Sequence, residues 1–291
     1  MLNRIGYPCV STLTNRTTNH TCRLSSATPE KLTGLIEQNL DDLEAILKHN
    51  LNHGWRLFRI GSSVIPFGSH PVNQLKWWRT YQTRLSNIGH LAAKQDIRLS
   101  FHPGQFTVLN SPDEEIIARS VEELNYSTRF LDAAGLDSSH KIVIHLGGVY
   151  GNKTAALDRL VKNIHSLDTA VKSRLVIEND ERSYTPADAL KVSELTGIPV
   201  VFDNLHYQSN SGNGNLPDLL PRIFATWKQA DGLPKVHFST QAEKGRTGNH
   251  ADYADPAEYQ QWVARWSDFG DFDLMLEAKA KDKALLALDQ A

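Results

Sequence analysis

The chain has 291 residues, of which 40% are hydrophobic, and its formal net charge at pH 7 is −2. Such a length suits one large domain or two small ones, and the hydrophobic content is sufficient for a real core. The nearly neutral charge argues against a protein that binds nucleic acid by bulk positive charge. Since no apolar run approaches the length of a membrane span and no signal peptide opens the sequence, we expect a cytoplasmic protein without a membrane partner.

Eight short apolar runs follow one another along the chain at roughly even spacing. Each run is almost continuous in apolar residues, as expected of parallel strands that are buried on both faces. The predicted strands cover residues 5–10, 55–60, 97–102, 141–146, 174–178, 199–203, 235–238 and 272–277.

The segments between these runs carry helical patterns. Apolar residues of segment 32–47 lie on one face at helical spacing. A capping oxygen followed by proline predicts four helix starts, at Thr28-Pro29, Ser111-Pro112, Thr185-Pro186 and Asp255-Pro256. The alternation predicts a single (β/α)8 TIM-barrel domain over residues 1–291. A doubly wound open sheet is less favoured, because the chain has no Gly-x-Gly-x-x-Gly turn.

Most predicted strands end in, or lead to, a residue that can bind a metal. Six such residues lie at the end of a predicted strand or one residue before it: His102, His145, Glu178, Asp203, His237 and Glu277. His70, His206 and His250 lie in the loops that follow strands. The C-terminal ends of barrel strands share one face, so we predict a metal cluster there. Isolated carboxylates at that face would repel one another, and divalent cations would remove the repulsion.

These residues can be divided among several ions. A plausible ligand set for one divalent ion comes from four predicted strands: Glu178, Asp203, His237 and Glu277. His102 and His145 could complete a second site in which Glu178 bridges. His206 and His250 could hold a third ion, and His70 could reach the same cleft. Mixed imidazole and carboxylate ligands suit zinc, manganese or cobalt rather than magnesium or calcium, and clusters of such ions hydrolyse phosphate esters.

Eight sequence motifs together resemble the UV damage endonuclease family, which consists of barrel-fold DNA repair enzymes related to endonuclease IV. The motifs run nearly from end to end and are specific as a set. They are IGYPC (5–9), RLFRIGSS (56–63), FHPGQF (101–106), HLGG (145–148), IEND (177–180), FDNLH (202–206), KVHFS (235–239) and HADY (250–253).

The resemblance implies incision of damaged double-stranded DNA on the 5′ side of UV photolesions, which are cyclobutane pyrimidine dimers and (6-4) photoproducts. It implies three divalent ions, most often manganese, with zinc, cobalt or magnesium as alternatives, and no organic cofactor. The metal residues that carry over are His70, His102, His145, Glu178, Asp203, His206, His237, His250 and Glu277. We assign Glu178, Lys235 and His237 to the catalytic centre. Lys235 matches a lysine that the family can carry in carboxylated form, and we expect a monomer.

The resemblance also implies residues that open the duplex. Gln105 and Phe106 match a pair that wedges into the helix opposite the lesion, and Tyr7 matches an aromatic residue near the lesion pocket. A damaged, poorly stacked base pair costs less to unstack, which contributes selectivity.

The main alternative function is that of a sugar isomerase or epimerase of the xylose-isomerase-like barrel group. Such enzymes also use two glutamates, an aspartate and a histidine, a set present here as Glu178, Asp203, His237 and Glu277. Such enzymes need one or two ions and two carboxylates that are free for proton transfer. Four histidines would then be surplus, namely His102, His145, His206 and His250. An abasic-site endonuclease of the endonuclease IV type is a second alternative, and a non-catalytic metal-binding scaffold is a third.

Overall fold

Residues 1–290 are described by the structure, a computed structural model. Within them, eight parallel strands form a closed barrel, and the first barrel strand pairs with both the second and the last. The predicted TIM barrel is therefore confirmed. In this part of the chain, no helix combines the length and the apolar character that a membrane crossing requires.

The strands within residues 1–290 are short, as is usual for a barrel. They are β1 (Leu2–Pro8), β2 (Val10–Ser11), β3 (Arg16–Thr17), β4 (Leu57–Ile60), β5 (Arg98–Phe101), β6 (Ile142–His145), β7 (Leu175–Glu178), β8 (Val200–Asp203), β9 (Lys235–Phe238) and β10 (Phe272–Leu276). Strands β2 and β3 pair only with each other, as an antiparallel hairpin in the loop after β1.

The helices lie between the barrel strands and cover the barrel. They are α1 (Pro29–Asn52), α2 (Trp77–Thr80), α3 (Gln82–Lys94), α4 (Glu114–Ala133), α5 (Lys153–Ser166), α6 (Thr169–Arg174), α7 (Pro186–Thr196), α8 (Asn204–Ser209), α9 (Leu216–Ala225), α10 (Pro256–Ser267) and α11 (Asp282–Asp289). Their apolar faces and the outward side chains of the strands form one large core.

Three of the four predicted helix starts are confirmed. Thr28, Thr185 and Asp255 are N-caps whose side chains accept backbone N–H groups, with proline next. The predicted start at Ser111-Pro112 is wrong, because α4 begins at Glu114 and Asp113 is its N-cap. The Asp113 carboxylate accepts from the N–H groups of Glu115 and Ile116 and therefore replaces Ser111 as the cap.

Small side chains inside the barrel mark the floor of the predicted site. Val143, Val176 and Val201 form a separate buried cluster with Trp227. Each valine precedes a predicted ligand by two residues, and these ligands are His145, Glu178 and Asp203. Since alternate residues of a strand face the same side, the three ligands also point into the barrel, one layer nearer its C-terminal end.

Candidate metal centre

Glu178, at the end of β7, lies at the centre of the site and is 1% exposed. His237 Nδ1 lies 2.7 Å from its Oε1, and His102 Nε2 lies 3.1 Å from its Oε2. His206 Nδ1 and His145 Nε2 lie 3.7 and 4.0 Å from the same carboxylate. Burial would raise the pKa of Glu178, but His237 and His145 outweigh burial and hold this pKa well below its usual value. One carboxylate is thus surrounded by imidazoles from four separate loops and strands.

The surrounding side chains form three overlapping groups, and in each group the ligand-type atoms lie within 4.8 Å of one another. The groups are His102–His145–Glu178, Glu178–Asp203–His206 and Asp203–His237–Glu277. Glu178 and Asp203 each belong to two groups. Seven of the nine predicted ligands therefore converge, with two carboxylates in the position of bridges.

Among residues 1–290, three buried atoms of these groups have no hydrogen-bond partner, namely His145 Nδ1, Asp203 Oδ2 and Glu277 Oε1, although the last forms an ion pair with Arg59. Burial lowers the pKa of His145 to about 4, so its ring is neutral at pH 7. Burial raises the pKa of Asp203, and the neighbouring carboxylates of Glu178 and Glu277 raise it further. Buried polar atoms without partners are costly, and divalent cations would satisfy them. The residues therefore fit the mixed nitrogen and oxygen coordination of borderline divalent ions.

Asp203 and His206 are held by the short helix α8, which takes the place of the predicted turn. Asp203 is its N-cap, and its Oδ1 accepts from the His206 N–H at 2.8 Å. His206 Nδ1 lies 2.9 Å from the backbone oxygen of Asn179, so that nitrogen donates and Nε2 is left for a ligand. Burial would lower the pKa of His206, but the surrounding carboxylates, Asp203 first, raise it to about 9. The carboxylates of the cluster therefore favour positive charge at this position.

Asn179 was not predicted, although it follows Glu178 directly in the IEND motif. Its side chain bridges the ends of β7 and β8, accepting from the Asp203 N–H at 3.0 Å and donating to the Asp203 carbonyl at 3.2 Å. It thereby fixes the spacing of Glu178 and Asp203.

Arg59 is the second residue that sequence reasoning missed. It is buried on β4, and its Nη2 lies 2.5 Å from Glu277 Oε1 and 2.9 Å from His237 Nε2. Burial would raise the pKa of Glu277, but Arg59 and His237 outweigh burial and lower it. The only available signal was one charged residue within an otherwise apolar strand, Leu57–Ile60.

The two remaining predicted ligands lie at or beyond the edge of the cluster. His250 Nδ1 is 3.9 Å from Glu277 Oε2, and its ring centroid is 6.4 Å from that of His206. His70 is exposed, its Nδ1 accepts from the Val72 N–H at 3.1 Å, and it belongs to none of the three groups. Its role as a ligand stays a prediction.

Lys235 lies inside the barrel, two residues before His237 on β9, and is 1% exposed. Its Nζ has no hydrogen-bond partner among the described residues. Burial, followed by the charges of Arg98 and Arg59, lowers its pKa well below the usual value. Lys235 therefore lies beneath the candidate ligands in surroundings that disfavour its charged form, and its catalytic assignment stays a prediction.

Tyr7 occupies a different place from the expected one. Its ring is 0% exposed and packs edge to face against Trp55 and Phe58, and its hydroxyl donates to Asn50 Oδ1 at 2.7 Å. This placement corrects the expected lesion contact, because a fully buried ring cannot stack on a base.

Gln105 and Phe106 lie on the loop after β5, and both are exposed, Phe106 by 84%. They line a cavity of about 830 Å³ that also borders His145. The aromatic side chain therefore projects from the barrel mouth next to the candidate metal groups, and its role against DNA stays a prediction.

A closed (β/α)8 barrel with convergent ligand-type residues at the C-terminal ends of its strands belongs to the class of TIM-barrel proteins with a candidate metal centre. Residues 3–291 match the model of a family described as UV-endonuclease UvdE. The chain belongs to this family, so the resemblance seen in its motifs is confirmed.

Individual relatives agree with this assignment. The chain is 39% identical over 283 residues to the UV DNA damage endonuclease of Clostridium perfringens, covering 96% of this chain and 68% of the relative. The crystal structure of SacUVDE superimposes with a TM-score of 0.93 at 35% identity, covering 99% of this chain and 96% of SacUVDE. Endonuclease IV from Thermus thermophilus has a TM-score of 0.61 at 14% identity, covering 99% of this chain and 98% of that one, which shows a shared fold alone.

Proposed function

We propose that this protein is a metal-dependent DNA repair endonuclease that hydrolyses the phosphodiester on the 5′ side of UV photolesions in double-stranded DNA. The substrates we propose are cyclobutane pyrimidine dimers and (6-4) photoproducts. The observation that carries the proposal is the set of three overlapping ligand groups around Glu178 and Asp203, in a chain of the UV-endonuclease family. The rival sugar isomerase would use the Glu178, Asp203, His237 and Glu277 set but would leave the other converging histidines without a task.

We assign one divalent ion to each ligand group, three in all, with manganese first and zinc, cobalt or magnesium as alternatives. When bound, such ions activate water for attack at phosphorus and neutralise the charge of the phosphate. His250 would add a ligand at the outer edge of the third group, where it faces Glu277.

The chain's own residues hold this centre in place. Glu178 and Asp203 each present an oxygen to two groups, and Asn179 fixes the strand ends that carry them. Arg59 occupies Glu277 Oε1 from below, which leaves Oε2 directed toward His250. We place Glu178 and His237 in the catalytic centre, and Lys235 with them, buried beneath the candidate ligands.

DNA would reach this centre across the loops at the mouth of the barrel. Because the net charge is only −2, affinity must come from local cations and from the metals rather than from the whole surface. Gln105 and the exposed ring of Phe106 would wedge between the strands where damage has weakened stacking. Phe106 has no hydroxyl, so its contribution would be stacking rather than hydrogen bonding.

The proposal also includes a single catalytic domain over residues 1–291 that acts as a monomer without an organic cofactor. Its place of action would be the DNA of the nucleoid, within the cytoplasm.

The direct test uses purified protein and an end-labelled duplex with one thymine dimer, incubated with manganese. We expect one nick at the phosphodiester 5′ to the dimer and complete inhibition by EDTA. The same duplex without damage and one with an abasic site are the controls, and an abasic-site endonuclease would prefer the latter. Absence of cleavage of the dimer duplex in the presence of manganese would refute the proposal.

A further inference from the structure

Exposed aromatic side chains are concentrated at the mouth of the barrel. Among residues 1–290, the exposed aromatic residues are Phe106, Tyr150 and Tyr253, and each lies in a loop after a barrel strand. Phe106 and Tyr150 line the same cavity, the one of about 830 Å³ that borders His145. Nothing in the proposed mechanism so far requires Tyr150, which is 44% exposed.

Tyr150 has an unusual backbone conformation. Its φ of +47° lies in the left-handed region, which is unfavourable for a bulky side chain. A hydrogen bond of 2.9 Å from the Asn152 N–H to the Val149 carbonyl closes the turn around it. Such strain persists where the surrounding structure enforces it, and it is common at ligand-binding sites.

Buried side chains hold this turn from below. The Gly148 carbonyl accepts from Asn110 Nδ2 at 2.8 Å and from the Tyr184 hydroxyl at 2.9 Å. A Cβ atom at Gly148 would lie 3.0 Å from the Tyr150 ring, so the ring lies directly over bare backbone. The backbone that carries the ring is therefore held in place by buried groups, which lowers the entropic cost of stacking on it.

The rest of the cavity carries charges of both signs. Arg119 and Arg182 contribute to its lining, together with the carboxylates of Glu123, Asp180 and Glu181. Outside this lining, the Arg159 guanidinium lies 5.8 Å from the centroid of the Tyr150 ring. Arginines suit phosphates, and aromatic faces suit bases. The volume lies within the usual range of pockets for small ligands, about 300–1,000 Å³.

We propose that Tyr150 is a base-stacking residue, which receives the base of the nucleotide next to the scissile phosphate when that nucleotide leaves the duplex. The cleaved strand is indicated because His145 both borders the cavity and belongs to a candidate metal group. Arg119 and Arg182 would contact the phosphates of the cleaved strand. This inference rests on the proposed function. It adds the place on the protein where the base next to the scissile phosphate binds.

The first test measures affinity, in the presence of manganese, for a duplex with one thymine dimer and a non-hydrolysable analogue of the scissile phosphodiester, so that no cleavage occurs. Tyr150→Ala should weaken binding by about 5- to 150-fold, the range that loss of one stacking contact produces. Tyr150→Phe should retain wild-type affinity, and Tyr150→Leu should resemble Tyr150→Ala. Leu195→Ala, at an exposed apolar residue of the outer helix α7, is the matched control and should change nothing.

The second test replaces the two dimer nucleotides by abasic analogues, which removes the bases but keeps the backbone. If the ring and a base are direct partners, removing either one abolishes the contribution of the other. Tyr150→Ala should therefore bind the abasic duplex as the wild-type protein does. An equal loss on both duplexes, wild-type affinity of Tyr150→Ala for the dimer duplex, or failure of Tyr150→Phe to retain affinity would each overturn the inference.

Incision by the wild-type protein separates this inference from the proposed function. If the wild-type protein incises the dimer duplex and Tyr150→Ala binds it equally well, only the role of Tyr150 fails. If the wild-type protein neither binds nor incises the dimer duplex, both proposals are overturned.

Discussion

Charged side chains are buried at both ends of the barrel interior, but they are paired with opposite charges at one end and not at the other. At the N-terminal end the charges are paired: Arg98 Nη1 lies 2.8 Å from Asp273 Oδ2, Arg4 lies 3.1 Å from the same carboxylate, and Lys141 lies 2.5 Å from Asp231. Arg98 also donates to three backbone carbonyls. Here buried cations find carboxylates and carbonyls at short range.

At the C-terminal end two buried carboxylates, Glu178 and Asp203, converge with the partly buried Glu277, and Arg59 is their one fixed positive partner among residues 1–290. In the described part of the chain, Asp203 Oδ2 and the ring nitrogen Nδ1 of His145 have no hydrogen-bond partner. The comparison shows that buried charge alone does not identify a functional site. Unbalanced charge and unsatisfied lone pairs at one end indicate a place where cations bind, whereas matched pairs indicate a structural role.

The strongest effect is expected at the C-terminal end. Glu178→Gln removes one shared ligand charge, and incision of a dimer duplex should fall by more than the roughly 100-fold that loss of a residue behind a metal ligand produces. The measurements are the incision rate and the manganese content of the purified variant. Glu194→Gln, on the exposed side of α7, is the control. Near-normal turnover of Glu178→Gln would remove this carboxylate from the centre.

At the N-terminal end, Arg98→Met leaves Asp273 buried with a weaker partner set. The free energy of unfolding should fall by about 3–5 kcal/mol, as for other broken buried pairs. Manganese content should not change, because the metal groups lie at the other end. Arg222→Met breaks the exposed pair with Glu194 and should cost at most about 1 kcal/mol. Loss of manganese from Arg98→Met would show that the two ends are not independent.

The N-terminal end of the barrel also contains a group that makes the free energy of unfolding depend on pH. His140 precedes β6 at the N-terminal end, accepts from the Leu99 N–H at 2.9 Å, and has its pKa lowered to about 4 by burial. The unfolded chain binds a proton near pH 6.5 and the folded protein only near pH 4, so stability is lost as the pH falls between these values. The free energy of unfolding should decrease by about 3 kcal/mol over this window. In His140→Gln, the free energy of unfolding should no longer decrease in this way between pH 6.5 and pH 4. Denaturant titrations at several pH values measure it, and the same pH dependence in the variant and the wild-type protein would contradict this role of His140.

The smallest effect is expected at the loops above the metal groups. Gln105→Ala combined with Phe106→Ala should lower the preference for damaged over undamaged duplex by about tenfold, through lost stacking. Cleavage of a duplex already unpaired at the same position should stay unchanged, because no wedge is needed there. Unchanged selectivity of the double variant would refute the wedge.

The barrel and most of the candidate site could be predicted from the sequence, because both depend on patterns within short segments of the chain. An apolar strand ending in a histidine or carboxylate is visible without coordinates, and barrel topology brings such ends together, as for Glu178 and Asp203. Arg59 could not be predicted in this way, since its partner His237 lies 178 residues away along the chain.

Other errors have equally physical causes. Tyr7 belongs to a recognisable motif, but the motif does not tell on which side of β1 its ring lies, and the ring packs outward against Trp55. Ser111 and Asp113 both offer capping oxygens, and the choice of Asp113 depends on where α4 must begin to pack. The left-handed turn that presents Tyr150 has no sequence signature beyond its neighbouring glycines.

We infer that divalent cations bind at the unbalanced cluster at the C-terminal end of the barrel. Crystals grown with manganese and measured near its absorption edge would test this directly by anomalous scattering. We expect separate peaks within coordination distance of all three ligand groups, with Glu178 and Asp203 each shared by two of them. An anomalous map without peaks at these residues, or with manganese bound only elsewhere, would contradict it.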